Sequence, residues 1–476
     1  GFSRIKASGA SDGPGSVEQP RVITQTEFAM KKHLIAFAVV AASCTAAVAQ
    51  EPNKVGHVYI VGNTVTRDSV IRRMVGLYPG QYLRYPEVKN AENNLARAGI
   101  FEANPESGVR PTVTVIEDTD SVFKDVIVNV KETHTGSIMF GAGINSDAGL
   151  VGSVVINEKN FDITRFPTSW EDVWEGRAFR GAGQELRIEA QPGTDTQNYS
   201  ISWRDPVLFD MPFSFGVSGY YRDRIYDEYT ENRYGGRFTL GHQFTREINA
   251  SATLRIENVE VADVAPYAPV DYLSQVGNHF LIAPGFTVSF DTRDSYLRPT
   301  EGTNMTFSYE QVLGDNTFPI LNLEFNRYFT TFQRPDGSGK QVVAVRSQVA
   351  WEGDSAPVYE RFFGGGFRSM RGFEFRGVGP FQDGYNLGGH FMLLNSIEYQ
   401  VPVRANDNLY FVGFIDSGTV EQDVAITNYR VTAGLGLRIT IPAMGPVPIA
   451  LDFGFPIVKG PEDRTQVFSF WVGLFR

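Results

Sequence analysis

Residues 213–220 read Phe-Ser-Phe-Gly-Val-Ser-Gly-Tyr, and this pattern decides the fold. Its phenylalanines and valine alternate with serine and glycine, the two-residue period of a β-strand with one apolar and one polar face. Residues 138–145 and 468–475 alternate in the same way. From Thr133 onward the sequence predicts about 16 such strands, and bacterial outer-membrane barrels have an even strand number.

The positions of the aromatic residues favour a membrane barrel over a soluble β-sandwich. The chain has 36 Phe, 20 Tyr and 48 Gly, and many aromatics fall near predicted strand ends, as at Tyr220–Tyr221, Tyr328–Phe329 and Tyr410–Phe411. A sandwich would pack its aromatics into one core, whereas a membrane barrel carries them in two interfacial girdles. The predicted fold class is therefore mainly β, a 16-stranded antiparallel transmembrane β-barrel.

Composition excludes two other classes of protein. The formal net charge is −11, which argues against a nucleic-acid partner because such proteins present a basic face. A helical membrane protein would show several apolar runs of about 20 residues, and the sequence has none. The mean hydropathy of the chain is slightly polar because each strand has one apolar and one polar face, whose contributions offset each other.

The one apolar run lies near the amino terminus and predicts an export signal. Met30-Lys31-Lys32-His33 precedes an apolar core at residues 34–42, and Ala47-Val48-Ala49 matches a cleavage site, so residues 30–49 are interpreted as a signal peptide. The run is too short for a transmembrane anchor. A lipoprotein signal at Cys44, the only cysteine, stays an alternative. Residues 1–29 are interpreted as upstream sequence.

Residues 55–132 predict a small α+β domain that precedes the barrel at 135–476. A short strand ends at the turn Gly62-Asn63, and two segments with helical spacing follow, the first predicted to be capped by Thr66. Two further strands complete the order β-α-α-β-β. The predicted architecture is thus one small α+β domain followed by the barrel.

The sequence indicates neither a catalytic nor a metal site. The six histidines form no HExxH pair, and no phosphate-binding or nucleophile motif is present. Gly364-Gly365-Gly366 is followed by Phe367-Arg368 and not by a helix, so it does not predict a nucleotide site. The charge-rich stretch 223–233 is interpreted as a solvated loop. We expect a protein that is not an enzyme and has no cofactor.

The most informative stretch is ERFFGGGFRSMRGFEFRGVG, residues 360–379. It is too rich in glycine and aromatic residues for a freely solvated loop, which predicts that it folds back into the barrel lumen. Arg371 would then need acidic partners, since a buried unpaired guanidinium is costly. Glu398 and Asp416 on following strands are the candidates. The alternative is an exposed basic loop that touches lipopolysaccharide.

At Met370-Arg371-Gly372-Phe373 the sequence resembles the loop motif of the outer-membrane protein assembly factor BamA family. Four further stretches resemble blocks of that family: residues 291–305, 395–402, 411–420 and 434–456. Residues 55–132 resemble a polypeptide-transport-associated (POTRA) domain, with Gly62-Asn63 and the step Gly99-Ile100-Phe101. The resemblance covers almost all of the chain after the signal.

The resemblance implies where the functional residues lie. Arg371, Gly372 and Phe373 would form a lumenal loop lock with Glu398 and Asp416. The first and last barrel strands would meet at a weakly paired lateral seam, and the periplasmic domain would carry its own motif residues. The implied seam residues are Gly141, Gly143, Gly473 and Phe475, and the implied periplasmic residues are Gly62, Asn63, Gly99 and Phe101.

The resemblance also implies a function: folding and inserting β-barrel proteins into the bacterial outer membrane, with the amino-terminal domain in the periplasm. The implied partners are unfolded outer-membrane proteins, membrane lipid, periplasmic accessory lipoproteins and chaperones. A translocation pore for one dedicated secreted protein is the alternative, followed by a passive porin. Three features depart from the family pattern. The sequence shows one periplasmic domain where the main assembly factors usually carry several, the chain ends Leu474-Phe475-Arg476, and the first periplasmic turn, residues 166–179, is unusually long.

Overall fold

The computed structural model describes residues 53–103, 109–117, 121–296, 298–403, 408–440 and 448–472. The upstream sequence, the predicted signal peptide and Cys44 lie outside the described residues. No helix in the described part of the chain is long and apolar enough to cross a membrane.

The amino-terminal domain packs two helices on a three-stranded sheet. Its elements are β1 (Lys54–Val61), α1 (Asp68–Val75), α2 (Tyr85–Arg97), β2 (Thr112–Val115) and β3 (Phe123–Asn129). The strand order is β1-β3-β2, with β1 parallel and β2 antiparallel to β3. Apolar residues at helical spacing in α1 and α2 pack on alternate residues of the strands, which gives one core that includes Ile71, Leu95 and Val126.

The prediction that Thr66 caps α1 is wrong. The N-cap position is Arg67, which makes no side-chain cap. The hydroxyl of Thr66 instead accepts a hydrogen bond of 2.9 Å from Nδ2 of Asn160, a barrel residue. Contact with the barrel has therefore replaced the local cap at this position.

The described residues from Gly136 to Val472 form a closed antiparallel barrel of 16 strands. The first eight are β4 (Gly136–Asn145), β5 (Gly149–Phe161), β6 (Gln184–Gln191), β7 (Thr196–Asp205), β8 (Phe213–Ile225), β9 (Thr230–Gln243), β10 (Ile248–Ala262) and β11 (Gly277–Asp291). The next three are β12 (Gly302–Gly314), β13 (Phe318–Phe332) and β14 (Gln341–Glu352). The last five are β18 (Phe391–Pro402), β19 (Leu409–Glu421), β20 (Arg430–Thr440), β21 (Pro448–Val458) and β23 (Phe468–Val472). The predicted fold class is confirmed.

Short elements lie in the connections between barrel strands. The helices are α3 (Trp170–Trp174) and α4 (Val270–Leu273). The two-residue strands are β15 (Gly372–Phe373), β16 (Phe381–Gln382), β17 (Tyr385–Asn386) and β22 (Thr465–Gln466). Because the chain enters the barrel from the periplasmic domain, the connections alternate between the periplasmic and the extracellular end, beginning with an extracellular turn after β4.

Alternation along the strands separates a lipid face from a lumenal face. In β4, Ile138, Phe140 and Ile144 are exposed on the outside. The cross-strand partner of Ile138 is Ile156, which is also exposed, so apolar residues meet on the outer face of neighbouring strands. Charged residues such as Arg255 and Glu257 of β10 are buried on the inside. Near the extracellular end, loop residues including Tyr272 and Tyr359 form an apolar cluster with Phe318 that covers the lumen.

Candidate functional site

The connection between β14 and β18, residues 353–390, folds against the inner wall of the barrel; we call it the plug loop. Its residues Met370, Phe373 and Val378 are buried and pack with wall residues such as Met392 and Val420. Apolar burial of this kind fixes a segment that would otherwise be solvated. The glycines allow the close packing, since Gly365 has φ +104° and a Cβ there would meet the Glu374 carbonyl oxygen at 2.1 Å.

Arg371 lies in an acidic pocket of the wall. Its Nε and Nη2 donate to the two carboxylate oxygens of Asp416, each at 2.8 Å, and its Nη1 donates to Glu398 Oε2 at 2.8 Å. Asp452 Oδ1 lies 3.9 Å from Nη1, and Arg438 pairs with the same carboxylate at 2.7 Å. The guanidinium also stacks on Phe414, 3.5 Å from the ring centroid. The fork of donors matches Asp416 bidentately, a contact that lysine could not reproduce.

Glycines let the loop approach this wall closely. Gly372 has φ +95°, and a Cβ on it would meet Thr432 Cγ2 at 2.7 Å. Facing it in β21, a Cβ on Gly454 would lie 2.7 Å from the backbone nitrogen of Gly372. The backbones of the loop and of β21 thus touch where Arg371 enters its pocket.

A second ionic contact holds the beginning of the plug loop, and the sequence analysis missed it. Glu360 accepts from Arg233 of β9 at 2.5 Å and from Arg255 of β10 at 3.2 Å. Glu231 and Glu257 pair with Arg233 as well, at 2.6 Å and 3.1 Å. The interpretation of residues 223–233 as a solvated loop is therefore wrong, because Glu231 and Arg233 lie in β9 and point into the lumen.

Arg376 makes a third contact, with aromatic rings. Its guanidinium lies 3.6 Å from the centroid of Tyr226 and 3.9 Å from that of Phe363, and it donates to the hydroxyl of Tyr229 at 3.3 Å. Cations over aromatic faces are attracted by the ring quadrupole. The plug loop is thus held by the walls on two sides of the lumen, β9–β10 and β18–β21.

The plug loop also contacts the chain on both sides of the first and last strands. Gly372 and Phe373 pair as β15 with Thr465 and Gln466, which form β22 directly before the last strand β23. On the other side, Gly366 is so close to Asp147, in the turn after β4, that a Cβ would lie 2.4 Å from its carboxylate. One loop therefore joins the extracellular ends of the first and last hairpins.

The described part of the seam between β4 and β23 lies at the extracellular end of the two strands. Trp471 pairs there with Asn145, and Val472 pairs with Ile144. Gly141 and Gly143 of β4 pair with β5 on the other side. Gly473 and Phe475, the two predicted seam residues of the last strand, lie outside the described residues.

The predicted periplasmic residues lie where the small domain meets the barrel or its own core. Gly62 has φ +96° and ends β1, and the amide of Asn63 donates to the Thr66 carbonyl at 2.9 Å. A Cβ on Gly99 would lie 3.1 Å from Nζ of the barrel residue Lys159, and Phe101 is buried in the domain core.

The small domain is fixed to the barrel through the periplasmic turn between β5 and β6. Arg67 pairs with Asp162 at 2.5 Å, and Arg165 donates to the Val65 carbonyl at 3.2 Å. Glu132 braces the same segment of the domain, accepting from the backbone of Thr64 at 3.0 Å and of Thr66 at 2.6 Å. Burial alone would raise the pKa of Glu132, but hydrogen bonds from Thr64 and Thr66 outweigh it and lower the pKa to about 2.

The described residues contain no group of three or more His, Cys, Asp or Glu side chains that could hold a metal ion. The site holds a loop against the barrel wall through ion pairs, and holding a loop in this way requires no bond-making chemistry.

Two family profiles match the sequence, one over each part of the chain. An Omp85 superfamily domain matches residues 178–475, and a POTRA profile, described as a surface antigen variable number repeat, matches residues 53–133. Among curated proteins, the outer membrane protein assembly factor BamA of Neorickettsia risticii is 24% identical over 437 residues, 88% of this chain and 54% of the relative. BamA of Nitratidesulfovibrio vulgaris is 24% identical over 435 residues, 88% of this chain and 51% of the relative.

Solved structures show the same fold. BamA from Haemophilus ducreyi lacking POTRA domains 1–3 superposes with a TM-score of 0.70 at 22% identity, covering 88% of this chain and 84% of that one. CdiB from Acinetobacter baumannii gives a TM-score of 0.59 at 14% identity, covering 89% of this chain and 74% of that one. The chain spans about half the length of the curated relatives it matches.

Proposed function

The chain belongs to the Omp85 superfamily, and from that premise we propose that it folds and inserts β-barrel proteins into the outer membrane. Its own barrel lies in the outer membrane, with the POTRA domain at the periplasmic end. The clients are unfolded outer-membrane proteins. Relatives that carry the name outer membrane protein assembly factor support this assignment.

The observation that carries the proposal is the contact of the plug loop with both sides of the seam. β15 pairs with β22 immediately before the last strand, and Gly366 lies against the turn after the first. A passive pore has no use for a loop that ties its first hairpin to its last. An insertase needs such a tie, because a seam that opens sideways must close again.

In the proposed mechanism the seam-side edge of β4 templates a client strand once the seam has opened. Its residues Ile138 and Phe140 are exposed on the outer face, and the described pairs with the last strand lie at Ile144 and Asn145. A client strand that adds to this edge completes its hydrogen bonds before it meets lipid. Burial of apolar client surface drives release into the membrane, and no nucleotide is consumed.

Arg371, Gly372 and Phe373 with Glu398 and Asp416 act as the lumenal loop lock of this mechanism. The lock holds β15 in register with β22 and so keeps the last strand in place between insertion cycles. Gly141 and Gly143 weaken side-chain packing in β4. Gly473 and Phe475, which lie outside the described residues, are proposed as seam residues from the sequence. Gly62, Asn63, Gly99 and Phe101 shape the periplasmic domain that delivers the client.

Periplasmic accessory lipoproteins and chaperones are the further partners we propose. They would bring clients to the POTRA domain, whose place in the structure is next to the periplasmic end of β5. Affinity purification of the tagged chain from outer membranes, followed by mass spectrometry, should recover them together with client barrels.

Depletion of the protein followed by a quantitative inventory of the outer membrane tests the function. We expect a general loss of β-barrel proteins with accumulation of unfolded clients in the periplasm. Loss of one secreted protein, with the other barrels unchanged, would instead support the translocation pore. Loss of solute uptake alone would support a passive porin.

A further inference from the structure

The periplasmic turn between β5 and β6 presents a strongly exposed apolar surface. Trp170 and Trp174 of α3 are 82% and 89% exposed, and Val173 is 46% exposed. At 3.6 residues per turn these three side chains share one side of the helix, while Glu171, Asp172 and Glu175 occupy the opposite side. We call the three apolar residues the tryptophan face.

The turn holds this face in a defined conformation. The hydroxyl of Ser169 accepts from the backbone nitrogen of Asp172 at 3.2 Å, and the Asp172 carboxylate accepts in return from the backbone of Ser169, which completes a capping box. Arg177 pairs with Asp172 at 3.2 Å. Since both ends of the short helix are tied, the exposure of the tryptophans is built into the turn.

Aromatic stacking fixes the helix next to the end of the barrel wall. The ring of Phe179 lies 6.0 Å from that of Phe161, the last residue of β5, and 5.5 Å from that of Phe166, which leads into the helix. Ile163 and Phe166 are exposed between the strand and the tryptophan face. An exposed apolar surface therefore runs from the strand end to the helix.

The neighbouring periplasmic turns carry exposed aromatics at the same end of the barrel. Phe209, between β7 and β8, is 82% exposed, and Phe244, between β9 and β10, is 64% exposed. Outer-membrane barrels place such residues at the level of the lipid headgroups. The tryptophan face is thus continuous with the lipid-facing surface of the barrel.

We propose that the tryptophan face inserts into the periplasmic leaflet of the outer membrane and anchors the turn there. Tryptophan prefers the membrane–water interface because its ring is apolar and its indole nitrogen is a hydrogen-bond donor. The helix and the residues next to it carry three acids, Glu171, Asp172 and Glu175, against Arg177, so this part of the turn fits a zwitterionic phospholipid surface better than an anionic one.

The anchor affects the position of the POTRA domain because the same turn binds that domain. Asp162 and Arg165, at the base of the turn, bind Arg67 and the Val65 carbonyl. β5 is the neighbour of the seam strand β4, and adjacent strands lie about 5 Å apart. Membrane contact through the tryptophan face would hold the POTRA domain at a fixed height close to the seam. The inference rests on the barrel's place in the membrane and not on the proposed assembly activity.

A polarity-sensitive fluorophore tests the anchor in the full chain reconstituted in phosphatidylcholine vesicles. The label is placed on Val173→Cys, in the tryptophan face, and on Glu171→Cys as the matched control on the opposite side, with Cys44→Ser in both. We expect emission from position 173 to shift to shorter wavelength. Lipids brominated near the headgroup should quench it more than lipids brominated near the chain ends. The label at 171 should keep water-like emission.

Three further measurements complete the test. Replacing part of the phosphatidylcholine by phosphatidylglycerol should weaken quenching at 173, and Trp170→Ser with Trp174→Ser should abolish it. Heat-modifiable electrophoretic mobility checks that each variant has a folded barrel. Water-like, unquenched emission from 173 in a folded barrel would overturn the proposal. So would a shift that occurs only after periplasmic extract is added, since a protein would then cover the face. Because neither readout uses client insertion, failure of the assembly role would leave this result standing.

Discussion

At the scale of single residues, Arg371 is the side chain that fixes the plug loop to the acidic pocket of the wall. Asp416, Glu398 and Asp452 surround it, and all four groups are buried. Buried charges are tolerated only when they are paired, because desolvation costs several kcal/mol per ion. Removing the one guanidinium that serves Asp416 therefore leaves a buried, uncompensated carboxylate.

Arg371→Ala should destabilise the plug loop by about 3–5 kcal/mol, the usual cost of breaking a buried pair. Arg371→Lys should recover only part of this, since lysine cannot bind Asp416 bidentately. Denaturant unfolding of the reconstituted barrel, followed by heat-modifiable mobility, measures the effect. Arg246→Ala, at an exposed arginine in the turn after β9, is the control. Equal unfolding midpoints for Arg371→Ala and the control would contradict the role of the lock.

Gly454→Ala should displace the plug loop without removing any polar contact. The new Cβ would lie 2.7 Å from the backbone nitrogen of Gly372, and overpacking of this kind costs about 1–3 kcal/mol. Trypsin added from outside should then cleave faster after Arg368. Gly413→Ala is the matched control, since a Cβ there meets nothing nearer than 3.9 Å. Unchanged cleavage in Gly454→Ala would mean that the loop tolerates a wider gap.

At the scale of elements, the plug loop makes a separate ionic contact with each of two walls of the barrel. Glu360 binds β9 and β10, whereas Arg371 binds β18 and β19, and the two clusters share no ion pair among the described residues. Sites without shared partners usually contribute additively to stability. The plug loop should therefore detach from the two walls in two separable steps.

Glu360→Gln should cost about 1–3 kcal/mol, because Arg233 and Arg255 lose a shared buried carboxylate but keep their ion pairs with Glu231, Glu257 and Glu310. Combined with Arg371→Ala, the two losses should add to within about 0.5 kcal/mol. Glu374→Gln, an exposed acid of the same loop, is the control and should unfold like the unmodified protein. A double variant no less stable than either single one would show that the two contacts form one coupled unit.

A disulfide across the seam should block activity reversibly. Val472 lies opposite Ile144, so Ile144→Cys with Val472→Cys can cross-link β4 to β23, and reductant should restore client insertion. Ile138→Cys with Ile156→Cys cross-links β4 to β5, away from the seam, and should leave activity intact when oxidised. Full activity of the oxidised seam variant in a client-insertion assay would exclude lateral opening.

At the scale of the whole molecule, the barrel and the small domain could be predicted from the sequence because their signals are local. The two-residue period predicts the strands, and helical spacing predicts α1 and α2. Arg371 could be placed against Glu398 and Asp416 because a buried guanidinium requires acidic partners and the following predicted strands carry these two. The structure brings these three side chains together.

Contacts between distant segments could not be predicted. Arg233 and Glu360 are 127 positions apart in the sequence. In the sequence, the inward-facing charges of a barrel strand look the same as those of a solvated loop, because only the closed sheet brings their partners close. The contact of Thr66 with Asn160 spans 94 positions and replaced a local cap. In both cases the deciding partner comes from another part of the fold, which no local pattern encodes.

The attachment of the POTRA domain to the barrel should depend on pH through Glu132. Its pKa is lowered from 4.5 to about 2, so its contribution to the joint is complete above about pH 4.5 and is lost as the pH falls towards 2. Protonation removes an acceptor from the backbone of Thr64 and Thr66 and frees the segment that carries Arg67. The domain should then change its position relative to the barrel.

Spin labels at the exposed residues Asn93 in α2 and Gln333 in the turn after β13 measure this change. The distance distribution should be narrow at neutral pH and broaden as the pH approaches 2, because the carboxylate that orders the joint becomes protonated there. Glu132→Gln should be broad at every pH, since it lacks the charge throughout. Glu117→Gln, at an acid outside the joint, should follow the unmodified protein. A distribution that stays narrow in Glu132→Gln would show that Arg67 and Asp162 hold the domain without help, and the joint would then be independent of pH in this range.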